Sequence, residues 1–270
     1  MHGFPDEPGG FRPQADWLVQ RGHRVLAPYL PGYYAAESCT EWCSGGGALG
    51  AEVALSCWQM LDALGEPRIH LLIGHDWGAL VSYSMVVARP DSVDRLVAAA
   101  VPYGGRMVEA FLTDPAQQLR SWYMFFFQMP FAELAVGHDN FAFIDRLWRV
   151  WSPSWNYAAA DIDAVKSLFA QPEALSAALT YYRLNLNPAA PAASEAGAEL
   201  RGRVGSAPLP CPTLYVHGAE DGCIGAEYAE QDASLYPTGL SVQILPKAGH
   251  FVHREAPAAF NQAVGDWLDR

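Results

Sequence analysis

The segment Leu71-Leu72-Ile73-Gly74-His75-Asp76-Trp77-Gly78-Ala79 restricts the fold more than any other stretch of the chain. An apolar run of strand length meets Gly-x-Asp-x-Gly, and residues 79–88 continue with helical apolar spacing that stops before Pro90. Glycines on both sides of one polar residue suit a sharp strand-to-helix elbow, because the two backbones come close there. Such an elbow leaves its central side chain at the N-terminus of the helix, where the dipole favours an anion. Asp76 therefore reads as a nucleophile. A carboxylate is already ionised near neutral pH and needs no base to attack. The plainer alternative is that Asp76 only caps the helix.

Strands and helices alternate elsewhere too, the pattern of a mostly parallel sheet covered by helices. Strands are expected over residues 24–27, 69–73, 96–101, 213–217 and 241–245. Helices are expected over 52–64, 79–88, 226–235 and 260–268. From Tyr103 to Gly205 no strand pattern stands out; aromatic-rich helical runs occupy 117–127, 141–151, 162–169 and 172–185. Residues 187–210, rich in Pro, Ala and Gly, read as a linker back to the sheet. The expected organisation is a core in two parts, 1–102 and 206–270, with a helical lid over 103–205.

Composition narrows the function. With 51% hydrophobic and 17% charged residues the chain is a packed globular protein, not a disordered one. A net charge of -12 and only 17 Lys+Arg, with no basic run, exclude a nucleic-acid partner, whose phosphates call for basic clusters. No apolar stretch is long enough to span a bilayer, and Met1 opens no signal peptide. Cys39, Cys43, Cys57, Cys211 and Cys223 make an odd count without a Cys-x-x-Cys pair. They are expected to be reduced thiols of a cytoplasmic protein that needs no metal.

Three further segments add chemistry. His2-Gly3-Phe4-Pro5 precedes the elbow, and the backbone N–H of Phe4, with that of Trp77, is placed to hold a developing negative charge. An acid and then a histidine should follow the nucleophile. Tyr215-Val216-His217-Gly218-Ala219-Glu220-Asp221 ends a strand and offers Asp221, with Glu220 as the alternative. Lys247-Ala248-Gly249-His250-Phe251 follows the last strand and offers His250, with His253 as the alternative. In this reading Asp221 orients His250, which acts as general base.

Together these segments resemble the α/β-hydrolase superfamily and, within it, the epoxide hydrolases, over nearly the whole chain. The resemblance implies an α/β-hydrolase fold, a mostly parallel sheet flanked by helices with an all-helical lid insertion. Trp122-Tyr123-Met124-Phe125-Phe126-Phe127-Gln128-Met129-Pro130 looks like the lid motif in which a tyrosine precedes Phe-Gln-x-Pro. It assigns Tyr123 as one proton donor. Tyr181-Tyr182-Arg183 looks like the second lid motif and assigns Tyr182, with Tyr181 as a near competitor. The implied reaction opens an apolar epoxide to a vicinal diol through an ester on Asp76, using water and no cofactor. Trp122, Phe126, Trp148 and Trp151 are expected to line the apolar pocket.

Haloalkane dehalogenases share the aspartate nucleophile and hold halide with indole N–H groups. Trp77 suits them, but they usually carry Asn where Phe4 stands and have no need of a tyrosine pair. Fluoroacetate dehalogenases place arginines just after the nucleophile, where this chain has Trp77 and Ala79. One feature departs from the superfamily pattern: further strands usually precede the His-Gly-Phe-Pro loop. One of these normally lies between the strands near Arg24 and Ile69. A third reading is therefore a non-catalytic or truncated fragment, which an upstream extension of about 25–30 residues would complete.

Overall fold

The computed structural model describes residues 1–34 and 39–270. At its centre is a four-stranded, all-parallel sheet in the order β1 (Leu72–His75), β2 (Leu96–Ala99), β3 (Thr213–Gly218), β4 (Leu240–Leu245). β2 and β3 are buried along their whole length, as interior parallel strands must be. Successive side chains point to opposite faces. Leu96, Ala98 and Tyr215 join the larger core, which includes Val53 and Trp58 of helix α3 (Gly50–Ala63) and Val81 and Met85 of α4 (Trp77–Ala88). Val97, Ala99, Leu214 and Val216 face Phe260 and Val264 of α13 (Pro257–Leu268) on the other side. Trp17 of α1 (Arg12–Val19) packs against that second cluster.

Between β2 and β3 the chain is helical: α5 (Arg106–Thr113), α6 (Pro115–Arg120), α7 (Trp122–Phe126), α8 (Ala132–Trp151), α9 (Ala159–Phe169), α10 (Ala174–Asn185) and α11 (Glu195–Arg203). Two short helices lie outside it, α2 (Cys39–Trp42) and α12 (Val252–Glu255). α8 is not continuous; His138 to Phe141 leave helical geometry. No helix among the described residues is long and apolar enough to cross a membrane. Cys43, Cys57, Cys211 and Cys223 form no disulfide; the side chain of Cys39 lies outside the described residues.

Four expectations need correction. Residues 24–27 form no strand, because a strand exists only by pairing and this segment has no ladder partner among the described residues. A cavity of about 380 Å³, lined by Leu18, Val25, Cys57 and Leu71 among others, separates it from β1. Met1 takes part of that edge: its amino group donates to the Ile73 carbonyl, and its own carbonyl accepts from the His75 amide at 3.0 Å. The second strand starts at Leu72; Ile69 makes only an isolated bridge to Val93. Residues 226–235 hold two short 3-10 turns, Ala226–Ala229 and Ala233–Leu235, in place of one helix. The stretch 187–210 is not all linker: Ser194 caps α11 by accepting from the Gly197 amide.

Candidate functional site

The candidate residues stand at the carboxyl ends of the strands, where open α/β sheets hold their ligands. Asp76 directly follows β1 and adopts φ 52°, ψ -122°, a left-handed conformation that costs energy for any residue with a Cβ. Close packing enforces it. A Cβ on Gly74 would strike the Gly78 carbonyl, and one on Gly78 would strike the carbonyls of Met1 and His2. Gly3 is needed for the same reason, since a Cβ there would overlap the Asp76 side chain. The two glycines and the aspartate that stand out in the sequence are thus one steric unit.

Asp76 is 5% exposed, and its Oδ1 accepts from the Phe4 amide at 2.7 Å. The loop that presents Phe4 is fixed by His2. Its Nδ1 donates to the Gly3 carbonyl at 3.0 Å and its Nε2 accepts from the Leu30 amide at 3.0 Å. Burial pushes the pKa of His2 down to about 4, in keeping with one ring nitrogen serving as acceptor. The Phe4–Pro5 peptide is cis.

His250 Nδ1 lies 2.9 Å from Asp221 Oδ2, and His250 Nε2 lies 3.6 Å from Asp76 Oδ2. Asp221 Oδ1 also accepts from the amides of Cys223 (2.7 Å) and Ile224 (2.9 Å), and its Oδ2 is 3.4 Å from His217. Burial works against a charged His250. The carboxylates of Asp221 and Asp76, with Cys223 beside the ring, outweigh it and hold its pKa well above the ordinary histidine value. The alternatives sit elsewhere: Glu220 accepts from the Ser154 hydroxyl, and His253 pairs with Asp6 at 3.2 Å.

The helical insertion ties the acid and histidine loops together. The carbonyl of Trp151, the last residue of α8, accepts from the amides of both Gly222 and His250 at 3.0 Å. Side chains at either glycine beside these bonds would collide: Gly222 lies against the Val150 carbonyl and Gly249 against Trp151 and Ser152. From the elbow side, His75 Nε2 donates to the His250 carbonyl at 2.8 Å. That bond fixes the tautomer of His75, whose Nδ1 has no partner.

Tyr123 and Tyr182 are both buried, with ring centres 5.6 Å apart. Burial, with the negative charge of Asp76 nearby, raises both phenols well above their usual pKa, so they keep their protons. The Tyr123 hydroxyl meets Cys223 Sγ at 3.4 Å, whereas the Tyr182 hydroxyl has no backbone partner among the described residues and lies beside the Trp77 indole. The Tyr181 hydroxyl, by contrast, donates to the Pro31 carbonyl at 2.6 Å. Its neighbour Tyr182 is thus the one whose hydroxyl is not tied to the backbone. The expected pocket aromatics divide. Trp151 lies 4.7 Å from Tyr123 and 5.1 Å from His250, centre to centre. Trp148 supports the Phe4–Pro5 loop, its indole N–H donating to the Pro5 carbonyl at 2.9 Å. Trp122 and Phe126 pack against Phe143.

Sequence reasoning missed Phe127 and Phe169, which flank Phe4 at 5.4 and 5.5 Å. It also missed Cys223, two residues after Asp221 and beside His250; the short spacing to Asp221 was the available signal. Asp221, Cys223 and His250 have donor atoms close enough to hold a cation, as have Asp6, His75 and His253.

Comparison with known proteins agrees with this architecture. The pattern of the alpha/beta hydrolase fold matches residues 1–257. The chain is 26% identical to the AB hydrolase superfamily protein YfhM of Bacillus subtilis, over 99% of this chain and 88% of that one. It is 27% identical to Epoxide hydrolase 4 of Homo sapiens, over 99% of this chain and 71% of that one. In structure it is similar to a Bacillus megaterium epoxide hydrolase in complex with an inhibitor. The TM-score is 0.81 at 23% identity, covering 100% of this chain and 92% of the other. With a match that spans the elbow, the acid loop and the histidine loop alike, the chain belongs to the alpha/beta hydrolase fold family.

Proposed function

We propose that this protein is an epoxide hydrolase that converts apolar epoxides to vicinal diols through an ester on Asp76. The observation that carries the reading is the company Asp76 keeps. An aspartate stands where the elbow usually presents a serine, facing two buried, protonated phenols and a histidine braced by a second aspartate. An epoxide carbon is open to attack, but its oxygen leaves badly unless a proton is offered. Tyr123 and Tyr182 offer it as Asp76 bonds to the ring carbon. His250, oriented by Asp221, then activates water against the carbonyl carbon of the ester, and the amides of Phe4 and Trp77 hold the oxyanion.

The helical segment 103–205 acts as the lid and supplies the tyrosines and Trp151. The aromatic walls from Phe4, Phe127, Trp151 and Phe169 favour an apolar substrate. The relatives named epoxide hydrolases support the same substrate class. One observation supports a second reading, that of a haloalkane dehalogenase. The buried indole N–H of Trp151 has no hydrogen-bond partner among the described residues, and indoles can hold halide. A panel of styrene-type, fatty and terpene epoxides, run beside short alkyl bromides, decides between them. The proposal expects diols and little bromide; faster bromide release than epoxide opening would overturn it.

A further inference from the structure

Cys223 has no role in the cycle as written, yet it stands between the groups that must exchange a proton. It is fully buried, and its Sγ meets the Tyr123 hydroxyl at 3.4 Å. The same sulfur lies within 4.8 Å of a ring nitrogen of His250 and of a carboxylate oxygen of Asp221. A sulfur hydrogen bond or a single bridging water closes such a span. The residue is held at both ends of its peptide unit: its amide donates to Asp221 Oδ1 at 2.7 Å, and its carbonyl accepts from Gln117 Nε2 at 2.9 Å. Burial raises its pKa, so the side chain is a thiol with a proton to give.

The proton count of the proposed reaction shows why a carrier is needed. Before substrate reacts, His250 sits between the anions of Asp76 and Asp221 and carries its extra proton. When Asp76 bonds to the epoxide carbon, the ring C–O bond breaks and Tyr123 protonates the oxygen. A phenolate then faces an imidazolium. Neither can proceed, because His250 must be neutral to accept a proton from water. The ionisable groups around His250 are Asp76, Asp221, Cys223, His75, His217 and Glu255. Among the described residues, Cys223 is the one of these hydrogen-bonded to Tyr123; His217 is engaged with the Tyr215 hydroxyl at 2.7 Å instead. Tyr123 and His250 are both fully buried, which closes the direct exchange with solvent.

We propose that Cys223 relays this proton: its thiol gives one to the Tyr123 phenolate and takes one from His250. The neutral His250 then accepts a proton from water as the water oxygen bonds to the ester carbon. The ester C–O bond breaks, the second water proton leaves on the diol, and the site is back in its starting state. No oxidant or reductant enters. Cys223 is thus a positioning and relay residue that acts through Tyr123 and His250 and never touches substrate.

The relay rests on the aspartyl-ester reading and is tested by rapid-quench single turnovers with a styrene-type epoxide. Ester on the Asp76 peptide and diol are measured separately. Cys223→Ala should form ester within about threefold of the parent rate and hydrolyse it about 10–100-fold more slowly. Cys223→Ser keeps an O–H donor and should recover most of the loss. In the alanine variant the deficit should narrow as pH rises, because more of the enzyme then enters the turnover with His250 already neutral. A merely structural role would not give that pH dependence. Should melting show the alanine variant unfolded, Cys223→Val, which fills the sulfur's volume without a proton, is read in the same way. Equal slowing of both steps, or none, overturns the relay, as does failure of a normally melting serine variant to recover. If the parent itself forms no ester, the epoxide reading falls and the relay with it. Rapid ester hydrolysis in Cys223→Ala removes the relay alone.

Discussion

Two buried aspartate–histidine pairs flank His75: His250–Asp221 on one side and His253–Asp6 on the other, with ring centres 4.8 and 4.5 Å from that of His75. They share residue types and near-zero exposure, and they behave oppositely. Asp6 is bound by Arg254 as well as His253, and the guanidinium helps hold its carboxyl well below the usual range despite burial. Burial, helped by that cation, pushes His253 down. His253 also stacks on Phe11 at 4.2 Å. His250 has no cation partner; it has a second carboxylate, Asp76, and is pushed up. Burial lowers both histidines alike, and the third charge at each pair is what separates their directions. In the proposed reaction only the His250–Asp221 pair moves protons.

Mutation of the two histidines gives the largest contrast. His250→Gln should lower turnover by about 10²–10⁴-fold and let an ester build up on the Asp76 peptide, visible by mass, because in the proposed reaction ring opening uses only Asp76 and the tyrosines. His253→Gln should leave turnover within about tenfold and lower the melting temperature instead. An ester that accumulates in the second variant and not in the first would break the comparison. Next in size is Asp6→Asn, which leaves Arg254 without its buried partner. It should cost about 3–5 kcal/mol in a denaturant titration, with activity per folded molecule kept. A fully stable Asp6→Asn protein would show that the buried Asp6–Arg254 pair does not hold the fold together.

On the catalytic side, Tyr123→Phe and Tyr182→Phe should each slow epoxide opening by tens- to hundreds-fold, and the double change should nearly abolish it. Equal loss from Tyr181→Phe, whose hydroxyl is engaged with Pro31, would shift the donor role. The smallest effect is on stability against pH. His2 has a folded pKa of about 4 against 6.5 for the free group, so the unfolded chain binds the proton first as pH falls. Its contribution is full above 6.5 and is lost on the way down to about 4. Lowering the pH to about 5 should cost roughly 1–2 kcal/mol from this residue alone. His2→Gln should flatten that slope; an unchanged slope would assign it to other groups.

How much of this was legible in the sequence depended on how local each signal was. Gly74-His75-Asp76-Trp77-Gly78 announces the elbow because the steric needs of a tight turn act on adjacent residues. Asp221 and His250 follow from their places after strands, in the order the elbow demands. Residues 24–27 looked like a strand and are not one, since pairing depends on a distant neighbour that composition does not reveal. Helix α11 was hidden because its stability comes in part from Glu52, far away in sequence, which holds Ser194 through both its amide and its hydroxyl. Trp122, Phe126 and Trp148 could be recognised as aromatic but not aimed, because which face of a helical insertion meets the site is settled by packing. Cys223 and the Asp6–Arg254 pair were missed for the same reason: their meaning lies in neighbours 100 and 248 positions away.

The central claim is that Asp76 becomes covalently bound to substrate, and oxygen labelling tests it most directly. With enzyme in excess over a styrene-type epoxide in heavy-oxygen water, the first-turnover diol should carry unlabelled oxygen from Asp76. The label should then appear in the Asp76 peptide, because water attacks the ester carbonyl. Full incorporation of solvent oxygen into the first-turnover diol would mean that water attacks the epoxide directly, and the account given for Asp76 would be wrong.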